Sequence, residues 1–337
     1  MLKKVLGFCV VLALIYGAAW LGAAFWLRAR VDAFVADLNR QGYVIERSEP
    51  VFAGFPARVG LKVAELGVTA PPAQGGWRWQ GTPVGITLSL GAPADPVIDL
   101  TGVQRITGLL SAPEEGLVLR VGHGLLTLTF AQDQALETLA LMLADTTVTG
   151  TASPGAPVSV RESSLHVSRA TGHLTWRMDD VGLPEAIPAL GQTIRRAEIA
   201  ADLVGPFPDG PLRNALETWR DAGGTVEVRS FALDWPPARA AGTGTLALDP
   251  ALQPMGAATI TFHGFFDLVA ALQAKGYVRE SEAGMAKIVL GMLARPSPAG
   301  APELSLPVTV QDRKLRAGPV ALMEMPEVIW DREAKVP

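Results

Sequence analysis

The sequence predicts a mainly β protein: an N-terminal transmembrane helix followed by a large, curved antiparallel β-sheet domain with a few helices. Three observations predict it. An uncharged run extends from Val5 to Leu27. Beyond Gly42 the chain alternates apolar and polar residues in short stretches. The 35 Gly and 26 Pro are spread along the chain, as turns between many short elements require.

The apolar run comes first. Lys3 and Lys4 precede it and Arg28 and Arg30 follow it. At 1.5 Å per residue it reaches roughly 34 Å, enough for a bilayer core of about 30 Å. Trp20 and Trp26 stand toward its far end, where an aromatic belt belongs. A cleaved signal peptide competes with this reading, with Gly17-Ala18-Ala19 as the small-residue cleavage site. Because the run continues past that point, an uncleaved anchor over residues 1–30 is the preferred expectation. The flanking positive charges nearly balance. A single anchor with a short head leaves the head in the cytoplasm, so the large domain is expected in the periplasm and the anchor in the inner membrane. Val31, Phe34, Val35 and Leu38 follow at helical spacing with Gly42 as the stop, which predicts a juxtamembrane helix over residues 31–42.

Residues 43–337 form the expected β-rich domain. Leu117, Leu119 and Val121 alternate with Val118, Arg120 and Gly122, and Leu126, Leu128 and Phe130 with Thr127 and Thr129. The same holds for Leu174, Trp176 and Met178, for Ile260 and Phe262, and for Leu306, Val308 and Val310. One apolar and one polar face per strand imply antiparallel sheet, and the turn-rich gaps imply hairpins and meanders. Leu136–Leu143 fits helix and strand spacing alike; the Thr146-Thr147-Val148-Thr149 continuation favours strand. Helices are predicted over Leu212–Ala222, ending at Gly223-Gly224, over Phe266–Ala274 and over Glu280–Leu293. Their apolar stripes, including Met285, Ile288, Val289 and Met292, read as core.

Chemistry is sparse. The sole cysteine, Cys9, lies in the apolar run, so the remainder can build no disulfide, zinc-thiolate site or thiol nucleophile. A net charge of −4 and a pI near 5.7 argue against nucleic acid as a partner. No histidine has a ligand partner at metal spacing, and no cofactor is expected. Asp179-Asp180 is the densest acid pair, read as lying near a turn because Gly182 and Pro184 follow. Gly242–Ala247 matches G-x-G-x-x-A, but a strand pattern follows it where a dinucleotide fold needs a helix. No catalytic motif emerges, so the protein is not expected to be an enzyme. The residues singled out are structural: Gly54, Phe55, Pro56, Gly223, Gly224 and Trp235. In Gly54-Phe55-Pro56, glycine permits a bend, Phe55 would anchor the corner in the core, and Pro56 suits a strand start or edge.

Three stretches carry a family resemblance: "VFAGFPARVGLKVAEL" (Val51–Leu66), the long segment from Glu217 to Val278, and "LSLPVTVQDRKLRAGPVAL" (Leu304–Leu322). They resemble a bacterial envelope family known as domain of unknown function 2125, over nearly the whole chain. The family pattern has Trp-Gly-Pro where this chain has Trp235-Pro236-Pro237, and Asp-Gly where it has Asp312-Arg313; both read as turn variants. The resemblance implies no activity and no site residues. The layout of anchor plus β domain is also similar to the AsmA-like envelope proteins, which are associated with lipid transfer or membrane homeostasis.

Two function classes follow. One is a lipid-handling envelope protein whose curved sheet offers an apolar concave face to phospholipid or another lipid. The other is a structural or adaptor module that binds envelope proteins and has a filled core. An open apolar groove would favour the first, a packed interior the second.

Overall fold

The computed structural model describes residues 2–89, 92–108, 115–131, 135–151, 155–187, 189–208, 210–276, 279–296, 302–318, 320–328 and 330. Helix α1 (Leu2–Arg40) runs unbroken through the expected anchor and the expected juxtamembrane helix. Gly42 follows it with φ +93°, a left-handed stop. Next come β1 (Val44–Arg47), β2 (Val51–Ala53), β3 (Arg58–Val63) and β4 (Leu66–Thr69), then a 3-10 turn, Pro72–Gln74. β5 (Arg78–Thr82), β6 (Val84–Ser89), β7 (Ala92–Asp99) and β8 (Gly102–Thr107) follow.

The long strands come after these: β9 (Gly116–Phe130), β10 (Leu136–Gly150), β11 (Val158–Ser168), β12 (His173–Ile187) and β13 (Gly191–Val204). Helix α2 (Leu212–Asp221) precedes β14 (Thr225–Trp235), β15 (Ala238–Leu248) and β16 (Pro254–His263). Helices α3 (Phe265–Ala274) and α4 (Glu280–Leu293) precede β17 (Arg295–Pro296), β18 (Pro302–Gln311), β19 (Lys314–Ala317) and β20 (Val320–Glu324). The three later helices lie where the sequence places them, and Leu136–Leu143 is strand.

Every pairing is antiparallel. From β9 to β16 the chain is a simple meander, extended by β18, β19 and β20. The other edge of β9 forks. Its first half pairs with β8, which leads through β5 and β4 to β1. Its second half pairs with β7, which leads through β6 and β3 to β2. Gly124 stands at the fork: a Cβ there would come within 3.2 Å of the Leu100 backbone, which turns between the two arms. Among the described residues the sheet does not close into a barrel. It is curved, because Gln74, beyond β4, reaches the Gly210 carbonyl before α2 at 3.3 Å, although six strand pairings separate β5 from β13.

A clear buried cluster sits where α1 meets the second arm. Trp20, Ala24 and Leu27 pack against Val59, Leu61 and Leu88. Their spacing along α1 is the four-three step of one helix face, so the far half of the apolar run is docked on the sheet.

The alternations on either side of Gly122 belong to one 15-residue strand. Two sequence expectations about the elements need correction. Asp179 and Asp180 lie inside β12 rather than near a turn. The α4 stripe is not core: Met285 is 66% and Met292 81% exposed, because among the described residues α4 packs mainly on α3 and, less, on β18.

Candidate functional site

The residues singled out in the sequence hold three separate corners. Gly54 to Ala57 form the turn of the β2–β3 hairpin. Gly54 has φ +93°, and a Cβ there would stand 2.8 Å from the Arg58 carbonyl oxygen, so glycine is required. Phe55 does not anchor this corner in a core. It is 62% exposed and rests on α1, its ring 5.3 Å from that of Trp20 and 6.3 Å from that of Tyr16. Pro56 lies in the turn, and its carbonyl accepts the Tyr16 hydroxyl.

Gly223 and Gly224 close α2 as a Schellman motif. The Gly223 N–H donates to Arg220 O at 2.9 Å and the Gly224 N–H to Trp219 O at 2.8 Å. Gly224 lies flat against the Trp219 indole, whose Nε1 donates to Val204 O at 2.9 Å. Trp235 ends β14 opposite Ala238, at the far end of the strand from Gly224. Its indole Nε1 is buried and has no hydrogen-bond partner among the described residues. These corners do not assemble into one site.

What the strands do assemble is an apolar face. Residues directly opposite in an antiparallel sheet share a face. Phe52, Leu61, Ile86 and Ile98 lead across β2, β3, β6 and β7 to Leu126. Leu141, Leu165, Trp176, Ile199 and Phe231 continue the row to β14. Gly242, Ile260 and Leu306 end it on β18. Gly242 leaves no gap, since the Phe231 ring lies over it. A parallel row runs from Leu128 through Leu139, Val167, Leu174, Ala201 and Val228. Every row residue from Leu126 to Leu306 is partly accessible, and Trp176 is 43% exposed.

Among the described residues, no helix or second sheet packs extensively across β9–β13. The segment before α2 and α2 itself stand at one end of this face and enclose a cavity of about 1030 Å³. Leu174, Ala201, Leu203, Phe207, Leu212 and Val226 line it. Alternation in the sequence marks β9, β12, β16 and β18 of this face, but not β6, β7, β13 or β14. The row itself depends on register, which no single strand reveals.

A second cleft, of about 600 Å³, lies between β1, β4, β5 and β8 and is lined by Glu46, Arg47, Glu65 and Arg105 among others. Its lining mixes charged and apolar groups, and Glu46 is tied to Arg78 at 2.9 Å.

The opposite face of the meander is polar. His173 Nδ1 lies 2.7 Å from Asp202, which also accepts from Arg229. These hydrogen bonds, the one from His173 foremost, hold the Asp202 carboxyl below the usual carboxylate range. Asp179 is held low in the same way, first by Arg177 at 2.7 Å and then by Arg196 at 2.9 Å. Among the described residues no three His, Cys, Asp or Glu side chains gather as a metal site.

Fold and site together define a class: an open antiparallel sheet led by one helix long and apolar enough to cross a membrane, with an apolar face that no described helix covers over β9–β13. The family model described as an uncharacterized protein conserved in bacteria (DUF2125) matches residues 20–326, and the chain belongs to that family. No curated protein and no solved structure matches it.

Proposed function

We propose that the protein is a lipid-handling envelope protein, anchored by α1 in the inner membrane with its sheet in the periplasm, and that acyl chains lie on the apolar face. The observation that carries this reading is the part of the cross-strand row that α1 leaves uncovered, from Leu126 on β9 through Leu141, Leu165 and Trp176 to Ile199 on β13. Apolar side chains on a face that no layer covers are costly in water, at about 25 cal/mol per Å² left wet. An acyl chain relieves that cost without specific polar partners. The cavity of about 1030 Å³ beside α2 is of the size that holds a small ligand or part of a lipid. No reaction is part of this reading.

The test is binding of a fluorescent phospholipid to the purified protein. Trp176→Glu places a charge on the exposed part of the row and is expected to abolish binding. Thr175→Glu, on the polar face of the same strand, is expected to leave it intact. Both variants should melt near the parent. Equal binding by the three proteins would contradict the reading. A reporter fused after Pro337 reads the orientation, and the intact mass shows whether the chain is cut after Ala19.

One observation favours the adaptor alternative. Met285, Ile288, Val289 and Met292 form an exposed stripe on α4, a surface suited to an envelope protein partner. Crosslinking from Met292 to a partner, with no lipid bound to the sheet, would favour it.

A further inference from the structure

We propose that the β2–β3 turn is inserted beside α1 in the outer leaflet of the bilayer, so that the sheet is seated in the membrane rather than held above it on a stalk. This rests on the reading of α1 as a membrane anchor and deepens it.

The inference comes from two lengths that must agree. Lys3 and Lys4 bound the uncharged run, which begins at Val5. From Val5 to Tyr16 the helix rises only about 17 Å, roughly half of a bilayer core of about 30 Å. Any crossing therefore carries the hydrocarbon on to about Phe25. The sheet, however, is already docked on α1 well before Phe25. Tyr16 donates to the Pro56 carbonyl, and Trp20 Nε1 donates to Arg58 O at 2.8 Å. The Phe25 ring is 5.1 Å from that of Phe52. While α1 keeps these contacts, the turn lies roughly 8–14 Å inside the outer boundary of the hydrocarbon.

The turn is built for that place. Phe55, at its tip, is apolar and 62% exposed. Backbone polar groups in lipid must be satisfied internally. Pro56 has no N–H to satisfy and its carbonyl accepts from Tyr16, while the Gly54 carbonyl accepts the Arg58 N–H at 2.8 Å. The nearest charges on β3, Arg58 and Lys62, follow the turn and lead away from it. Long basic side chains there can reach back to lipid phosphates. Arg28 and Arg30 stand beyond Phe25 on α1, at headgroup level.

The experiment uses the full chain in vesicles of phosphatidylcholine and phosphatidylglycerol. Cys9 is replaced by serine, and an environment-sensitive fluorophore is attached to single cysteines: Phe55→Cys, Leu12→Cys within the span, and Thr259→Cys on exposed β16. The labels at 55 and 12 are expected to lose most of their emission to doxyl-labelled phosphatidylcholine and almost none to iodide. The label at 259 should behave oppositely. A label at 12 in lipid with a label at 55 quenched by iodide would overturn the seating while leaving the anchor intact. All labels in water would overturn seating and anchor together.

Discussion

At the scale of single residues, the glycines were the most legible feature and the aromatics the least. Gly223-Gly224 after a helical stripe announces a helix stop, and the structure supplies the reason each is glycine. Gly223 has φ +78°, so Gly223→Ala is expected to cost about 1 kcal/mol in urea denaturation. A Cβ on Gly224 would stand 2.3 Å from the Trp219 ring. Gly224→Ala should therefore cost more, about 2–3 kcal/mol, because Trp219 must move off its bond to Val204. Equal small losses would show that the indole is not fixed. Phe55 was misread because a phenylalanine at a strand corner suggests a core, and only the docked helix explains its exposure.

The two ion-paired aspartates, Asp179 and Asp202, are a further residue-scale case. Asp179 and Asp202 titrate below their usual range in the folded chain, so the folded state binds fewer protons there than the unfolded chain. Their stabilisation is present above about pH 4 and is lost as pH falls through the lowered folded-state values. Thermal melts across this acid range should steepen below pH 4, and Asp179→Asn should flatten the slope. An unchanged slope would mean that the arginines do not hold the carboxylate.

At the scale of elements, the meander contains a crease that single-strand alternation concealed. On β9 the apolar positions are Leu117, Leu119 and Val121 on one side and Leu126 and Leu128 on the other, a change of parity. The same change falls between Leu143 and Thr146 on β10, Ser163 and Val160 on β11, Met178 and Val181 on β12, and Ala197 and Ile194 on β13. The flanking registers bring Gly122, Asp145, Arg161, Asp180 and Arg195 into one line across these strands. Asp145 and Asp180 both have φ 51°, a left-handed conformation inside a strand that aspartate tolerates better than most residues. One such residue turns the following side chain back to the same face, so the apolar side stays continuous across the crease. Arg161 and Asp180 are paired there at 2.6 Å on the exposed surface. Asp145→Val should destabilise by roughly 1–2 kcal/mol, while Asp145→Gly should be neutral or stabilising. If both behave alike, backbone conformation is not what the position selects. The signal was present in the sequence as a pair of polar or small residues interrupting five successive alternations. It is readable only once the strands are aligned.

At the scale of the whole molecule, the helix-led open sheet was legible from composition and period, because both depend on local pattern. Which segments lie together was not, since register and docking are set between distant residues. The apolar run is the sharpest example: it has the length of a membrane span, yet Trp20, Ala24 and Leu27 also serve as core for the second arm. The family match begins at residue 20, at the first of these docked residues. The most direct measurement is photocrosslinking of a phospholipid carrying a photoreactive acyl chain, with the modified peptides mapped by mass spectrometry. Crosslinks on Leu141, Leu165, Trp176, Ile199 and Phe231, and none on Thr175 or His166, are expected. Crosslinks confined to α1, or spread evenly over both faces of the sheet, would contradict the role given to the apolar row.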